Sequence, residues 1–108
     1  MDLDNFLERL EDMKDAIGPY AKAKADRVYI ENYLRCKKSL LMGQCDEKTV
    51  AAKEMYAYAH KDYIELLEGL RAAIEFEEKC RWTLEQFKMS VDIWRSVNAN
   101  DRWIKNQV

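Results

Sequence analysis

Between Asp62 and Val97 the apolar residues Ile64, Leu67, Leu70, Ile74, Leu84, Val91 and Trp94 recur largely at helical spacing among many charges, with one glycine (Gly69) and no proline. This pattern predicts a long amphipathic helix over about 62–97, whose apolar stripe must be covered by another surface. Near the start, Leu3, Phe6, Leu7, Leu10, Met13 and Ile17 follow three- and four-residue steps. Acids crowd the first turns, where the helix dipole favours them, and a first helix is predicted over 3–16. Gly18-Pro19 reads as a corner, because glycine suits a C-terminal cap and proline lacks the donor that a continuing helix needs. A second helix is predicted over 20–42, with Ala23, Arg27, Ile30, Leu34, Lys37 and Leu41 on one seam and Tyr29, Tyr33, Cys36 and Leu40 beside it.

Gly43 to Asp46 ends that helix, and Asp46, or alternatively Thr49, serves as N-cap for a short third helix over 47–59. Its apolar side is Val50, Ala51, Met55 and Tyr58. Asp62 is placed to cap the fourth helix, with Glu65 as its capping-box partner, so the chain either kinks or breaks at 60–62. Residues 98–108 read as a frayed tail in spite of Trp103 and Ile104. Alternating runs and hairpin dipeptides are missing, so no strand is expected. The fold class is all-α: an antiparallel long-helix hairpin or small helical bundle of coiled-coil character, about four helices in one domain over 1–108. The fourth helix would overhang its partner around Leu84, Phe87, Val91 and Trp94.

Composition changes this picture little, but it narrows the function. Eighteen Lys plus Arg against twenty Asp plus Glu leave a net charge of −2, so no global field draws the chain to nucleic acid or to an anionic membrane. Residues 1–15 are nevertheless acidic and residues 20–40 basic. No window approaches the ~18 apolar residues of a membrane span. The Met-Asp-Leu-Asp-Asn-Phe start lacks the basic and apolar regions of a signal peptide, so a cytoplasmic location is expected. Cys36, Cys45 and Cys80 are an odd set without CxxC spacing and read as reduced, structural thiols.

Four groups of residues bear on chemistry. Glu75, Glu77, Glu78, Lys79 and Arg81 interrupt the fourth helix's seam, where Glu77 or Glu78 could meet Arg27 or Lys37 across a hairpin and set register, unless they are simply a solvated face. His60, Asp62 and Glu65 lie within metal-ligand reach, but one histidine without HxxxH or ExxH spacing favours a satisfied hinge residue. Lys22, Lys24, Arg27, Arg35, Lys37 and Lys38 surround Tyr20, Tyr29 and Tyr33, the mixture a single-stranded nucleic-acid groove uses, although helical tyrosines more often pack in a core. Trp82, Leu84, Phe87, Val91 and Trp94 form the candidate oligomer interface, with burial against the first helix as the rival reading. Catalytic, cofactor-binding and metal residues are not assigned, since no nucleophile has a base and no glycine loop can cradle phosphate.

The segments Ala25-Asp26-Arg27-Val28-Tyr29-Ile30-Glu31, Lys37-Lys38-Ser39-Leu40-Leu41-Met42, Thr49-Val50-Ala51-Ala52-Lys53-Glu54, Ala57-Tyr58-Ala59-His60 and Tyr63 with Leu67-Glu68-Gly69-Leu70 resemble small helical proteins encoded by tailed phages and prophages. The resemblance covers roughly residues 20–95. It implies a phage origin and an accessory role beside recombination and replication functions, with no catalytic residue to carry over. The expectation is therefore a non-enzymatic, homo-oligomeric protein-interaction protein without cofactors, acting in the cytoplasm of a host cell. The alternatives are a single-stranded nucleic-acid binding module, or a small phage inhibitor of a host defence or repair enzyme whose acidic helix 2–15 imitates a phosphate track.

Overall fold

The computed structural model describes residues 2–107 and is all-helical, with no strand among them. Three helices follow in chain order: α1 (Leu3–Gln44), α2 (Val50–Ala59) and α3 (Lys61–Gln107). The predicted four-helix count is thus corrected to three. The helices expected over 3–16 and 20–42 are one, and the tail expected to fray over 98–108 is helical through Gln107, Val108 lying outside the described residues.

The predicted corner at Gly18-Pro19 fails for a physical reason. Both residues lie on the exposed side of α1, while Ala16 and Tyr20 beside them are half-buried. A carbonyl left open by the missing proline N–H can therefore be reached by water. Gly18 also lacks the Cβ against which a following proline ring would press, and it keeps a negative φ, so it is no left-handed cap.

The other boundaries are fixed by side chains. The Cys45 thiol donates to the Met42 carbonyl at 3.2 Å, satisfying one of the open acceptors at the end of α1. Thr49, not Asp46, caps α2: its Oγ1 accepts from the Ala52 N–H at 3.1 Å. His60 is extended and serves two helices at once. Its N–H closes α2 on the Ala57 carbonyl, its own carbonyl takes the Ile64 N–H, and its Nδ1 accepts from the Asp62 N–H at 3.0 Å. The junction is a break, and the capping role predicted for Asp62 belongs to His60.

Two compact units are formed. Residues 22–77 make a contiguous one, in which the middle and end of α1 meet α2 and the start of α3. Its buried positions are Ala23, Leu41 and Ala57, with Glu77 the buried charged residue. Ion pairs fix its register: Arg27 meets Glu77, Lys37 meets Asp62 at 3.4 Å, and Lys38 meets Glu54 at 3.7 Å. The descending partners of ascending α1 positions show that α1 and α3 run antiparallel here.

Residues 2–21 and 78–107 make the second unit. Phe6 stacks on Trp94 with ring centroids 3.9 Å apart and planes 14° from parallel. Leu10, Met13 and Tyr20 on α1, and Leu84, Phe87 and Val91 on α3, are half-buried or buried at three- and four-residue steps, as a two-helix antiparallel seam requires. Because α1 begins only three residues before Phe6, the last turns of α3 after Asn98 run beyond it, and Trp103 and Ile104 are exposed there.

Candidate functional site

The charged collar is the first candidate. Arg27 lies on the seam of α1, where burial would be costly for a lone cation, and its guanidinium is fully engaged. Nε and Nη2 donate to the two carboxylate oxygens of Glu77, the latter at 3.2 Å, while Nη1 donates to Glu31 at 3.0 Å. The hydrogen bonds to Glu77, and next those to Glu31, push the Arg27 pKa further above its ordinary value. Glu77 is only 8 % exposed, and a carboxylate held in this bidentate way fixes how the two helices are aligned. Glu78 points instead to Arg81 on its own helix at 2.7 Å, and Arg81 lies over the Trp82 ring.

The basic segment is the second candidate, and neighbouring acids absorb most of it. Lys22 lies 4.0 Å from Asp26, Arg27 is held by Glu77 and Glu31, Lys37 by Asp62, and Lys38 by Glu54. Lys38 also sits 4.8 Å from the centre of the Tyr58 ring, and Tyr58, followed by Glu54, raises its pKa. Lys24 and Arg35 are exposed and in no ion pair among the described residues. Tyr29 and Tyr33 stack on each other at 6.3 Å on the outside of α1, with Tyr29 69 % exposed.

The third candidate, the predicted oligomer interface, splits into two faces. Leu84, Phe87, Val91 and Trp94 look into the chain's own seam, with Val91 buried and Trp94 against Phe6. Trp82 looks outward and is 56 % exposed. Outside with it stand Met89, Ile93, Val97, Trp103 and Ile104, which sequence reasoning did not single out as a set. The signal available was the absence of charge at their spacing.

No protein-family model, curated protein or solved structure matches this chain. The arrangement must therefore be read from its own residues. His60, Asp62 and Glu65 do not form a metal site: among the described residues no group of three His, Cys, Asp or Glu is placed to hold an ion. No described helix is long and apolar enough to cross a membrane.

Proposed function

We propose that this chain is a non-enzymatic helical protein that self-associates and docks another protein in the cytoplasm, as an accessory to phage DNA recombination or replication. The observation that carries the first part is the imbalance of its apolar surface. The buried apolar positions are Ala23, Leu41, Ala57 and Val91, while large residues including Tyr29, Leu40, Met55, Phe76, Trp82 and Ile93 remain exposed. Apolar side chains that stand together on one surface, as Trp82, Met89, Ile93, Val97 and Ile104 do on α3, mark protein contact surfaces. The phage part rests on the sequence resemblance over residues 20–95.

Light-scattering mass on size exclusion tests the reading, repeated with a short single-stranded oligonucleotide. A dimer or larger species that ignores the oligonucleotide supports assembly; a single-chain mass overturns self-association. The stacked, exposed Tyr29 and Tyr33, with Lys24 and Arg35 exposed on another side of the same helix, favour nucleic-acid binding as the second reading. A co-eluting oligonucleotide that is released by salt and lost in Lys24→Glu/Arg35→Glu would bring that reading forward.

A further inference from the structure

The exposed side of α3 from Trp82 to Ile104 has an order that its inward seam lacks. Trp82, Gln86, Met89, Ile93, Val97, Asn100 and Ile104 fall in a sector about 80° wide at 3.6 residues per turn. None of the seven is charged, although 35 % of the chain is. The hydroxyls bordering the sector are turned inward, Thr83 donating to the Lys79 carbonyl and Ser90 to that of Gln86. Depletion of charge with aromatic and methionine side chains is the composition of an interface core. One helix segment earlier the same face reads Glu68, Arg71, Glu75 and Lys79.

The stripe is also symmetric about Ile93. Four residues away on either side stand Met89 and Val97, both apolar; seven away, Gln86 and Asn100, both carboxamides; eleven away, Trp82 and Ile104, both apolar. A surface that reads the same in both directions is complementary to itself turned end for end, which is what a two-fold interface demands. We propose that a second copy of this chain covers the stripe, α3 packing antiparallel on α3 with Ile93 at the two-fold axis.

Three further observations support a second copy as the occupant. In that register Gln86 comes level with Asn100 of the partner subunit, so each amide has an amide to bond. The exposed parts of Trp82, Met89, Ile93, Val97 and Ile104 leave on the order of 500 Å² uncovered, to which the exposed Gln86 and Asn100 add, against the ~800 Å² each partner of a stable complex buries. At the centre, a hollow of about 350 Å³ lined by Arg9, Gln86, Phe87, Met89, Ser90 and Ile93 is open to a partner side chain.

The inference rests on the self-association proposed above, and the experiment separates the two. In light scattering the wild-type chain is expected at twice its sequence mass, and Ile93→Asp, which sets two carboxylates face to face, at the single-chain mass with its helical circular dichroism kept. A second set of variants, in a chain with Cys36, Cys45 and Cys80 replaced by Ala, fixes the direction. With diamide as oxidant, Ile93→Cys links to itself. Trp82→Cys does not, since its copies lie ~33 Å apart at 1.5 Å per residue, but it links to Ile104→Cys when the two chains are mixed. A wild-type chain that is single at its highest soluble concentration overturns this interface and self-association together. A dimer that withstands Ile93→Asp without linking through Ile93→Cys, or that links through Trp82→Cys alone, overturns this interface and leaves self-association standing.

Discussion

The unit of residues 22–77 and the unit of residues 2–21 with 78–107 solve the same problem differently. Each must hold two antiparallel helices that are rich in charge. In the first, a third helix and three ion pairs join the contact, and Leu41 is buried together with the small residues Ala23 and Ala57. In the second, two helices meet through larger side chains, with Phe6 on Trp94 and a buried Val91. Directional pairs specify register, whereas apolar contacts stabilise many registers about equally. The outward surface differs in step: α3 carries Glu68, Arg71 and Glu75 on one face in the first unit, and an uncharged stripe from Trp82 to Ile104 in the second.

The largest effect that tests this contrast is expected at Leu41, 1 % exposed in the first unit. Leu41→Ala should lower the unfolding free energy by about 3 kcal/mol in urea titration. A loss below ~0.5 kcal/mol, the range of surface substitutions, would mean that this unit has no packed centre. Trp94→Ala should cost less, about 2 kcal/mol, because the ring is only half-buried, and should speed amide exchange in residues 2–21 more than in 22–77. Equal acceleration in both would erase the distinction between the units.

The pair Arg27 and Glu77 comes next. Arg27→Met or Glu77→Leu alone should each lower the melting temperature by stranding the other charge, and the double variant should regain most of the loss. What it should not regain is a single register, visible as doubled or broadened amide resonances in residues 22–77. Sharp single resonances in the double variant would show that the ion pair specifies nothing.

The smallest effect is electrostatic and lies in the second unit. Arg81 holds the Glu78 pKa below its ordinary value, so the pair adds stability above the usual carboxylate range and loses it as pH falls through and below that range. Glu78→Gln should remove this shallow acid limb, and added salt should do the same, because both side chains are partly exposed. A limb unchanged in the variant would assign it to other carboxylates.

Much of the first unit was legible in the sequence. The seam Ala23, Arg27, Ile30, Leu34, Lys37 and Leu41 holds as written, and Glu77 meets Arg27, because short-range periodicity and opposite charge both act locally. Along α3 the apolar stripe was harder to follow. Leu70, Leu84, Val91 and Trp94 are covered, but Ile64, Leu67 and Ile74, which share their apparent spacing, are 48 %, 46 % and 42 % exposed. A seven-residue repeat drifts by ~20° per heptad against a straight helix, so over several heptads apolar residues of different faces look like one stripe. Trp82, by contrast, stands only two residues from Leu84 and so on the other side of the helix, and its nearness along the chain to the inward residues grouped it with them. Gly18-Pro19 misled for the opposite reason: the signal is strong locally, and only the side of the helix on which it falls decides the outcome.

The split of the second unit along the chain has a kinetic meaning. Phe6 can find Trp94 only after 87 intervening residues have been gathered in, whereas residues 22–77 are contiguous and every contact within them closes a shorter loop. Loop closure must be met before a distant contact repays it, so the ordered hairpin around Ala57 and Leu41 acts as the clasp from which the two long helices zip toward the chain ends. Substitutions at Leu41 should then slow folding, while those at Phe6 and Trp94 should chiefly hasten unfolding. In this chain the order of assembly is written in which unit the backbone leaves and returns to.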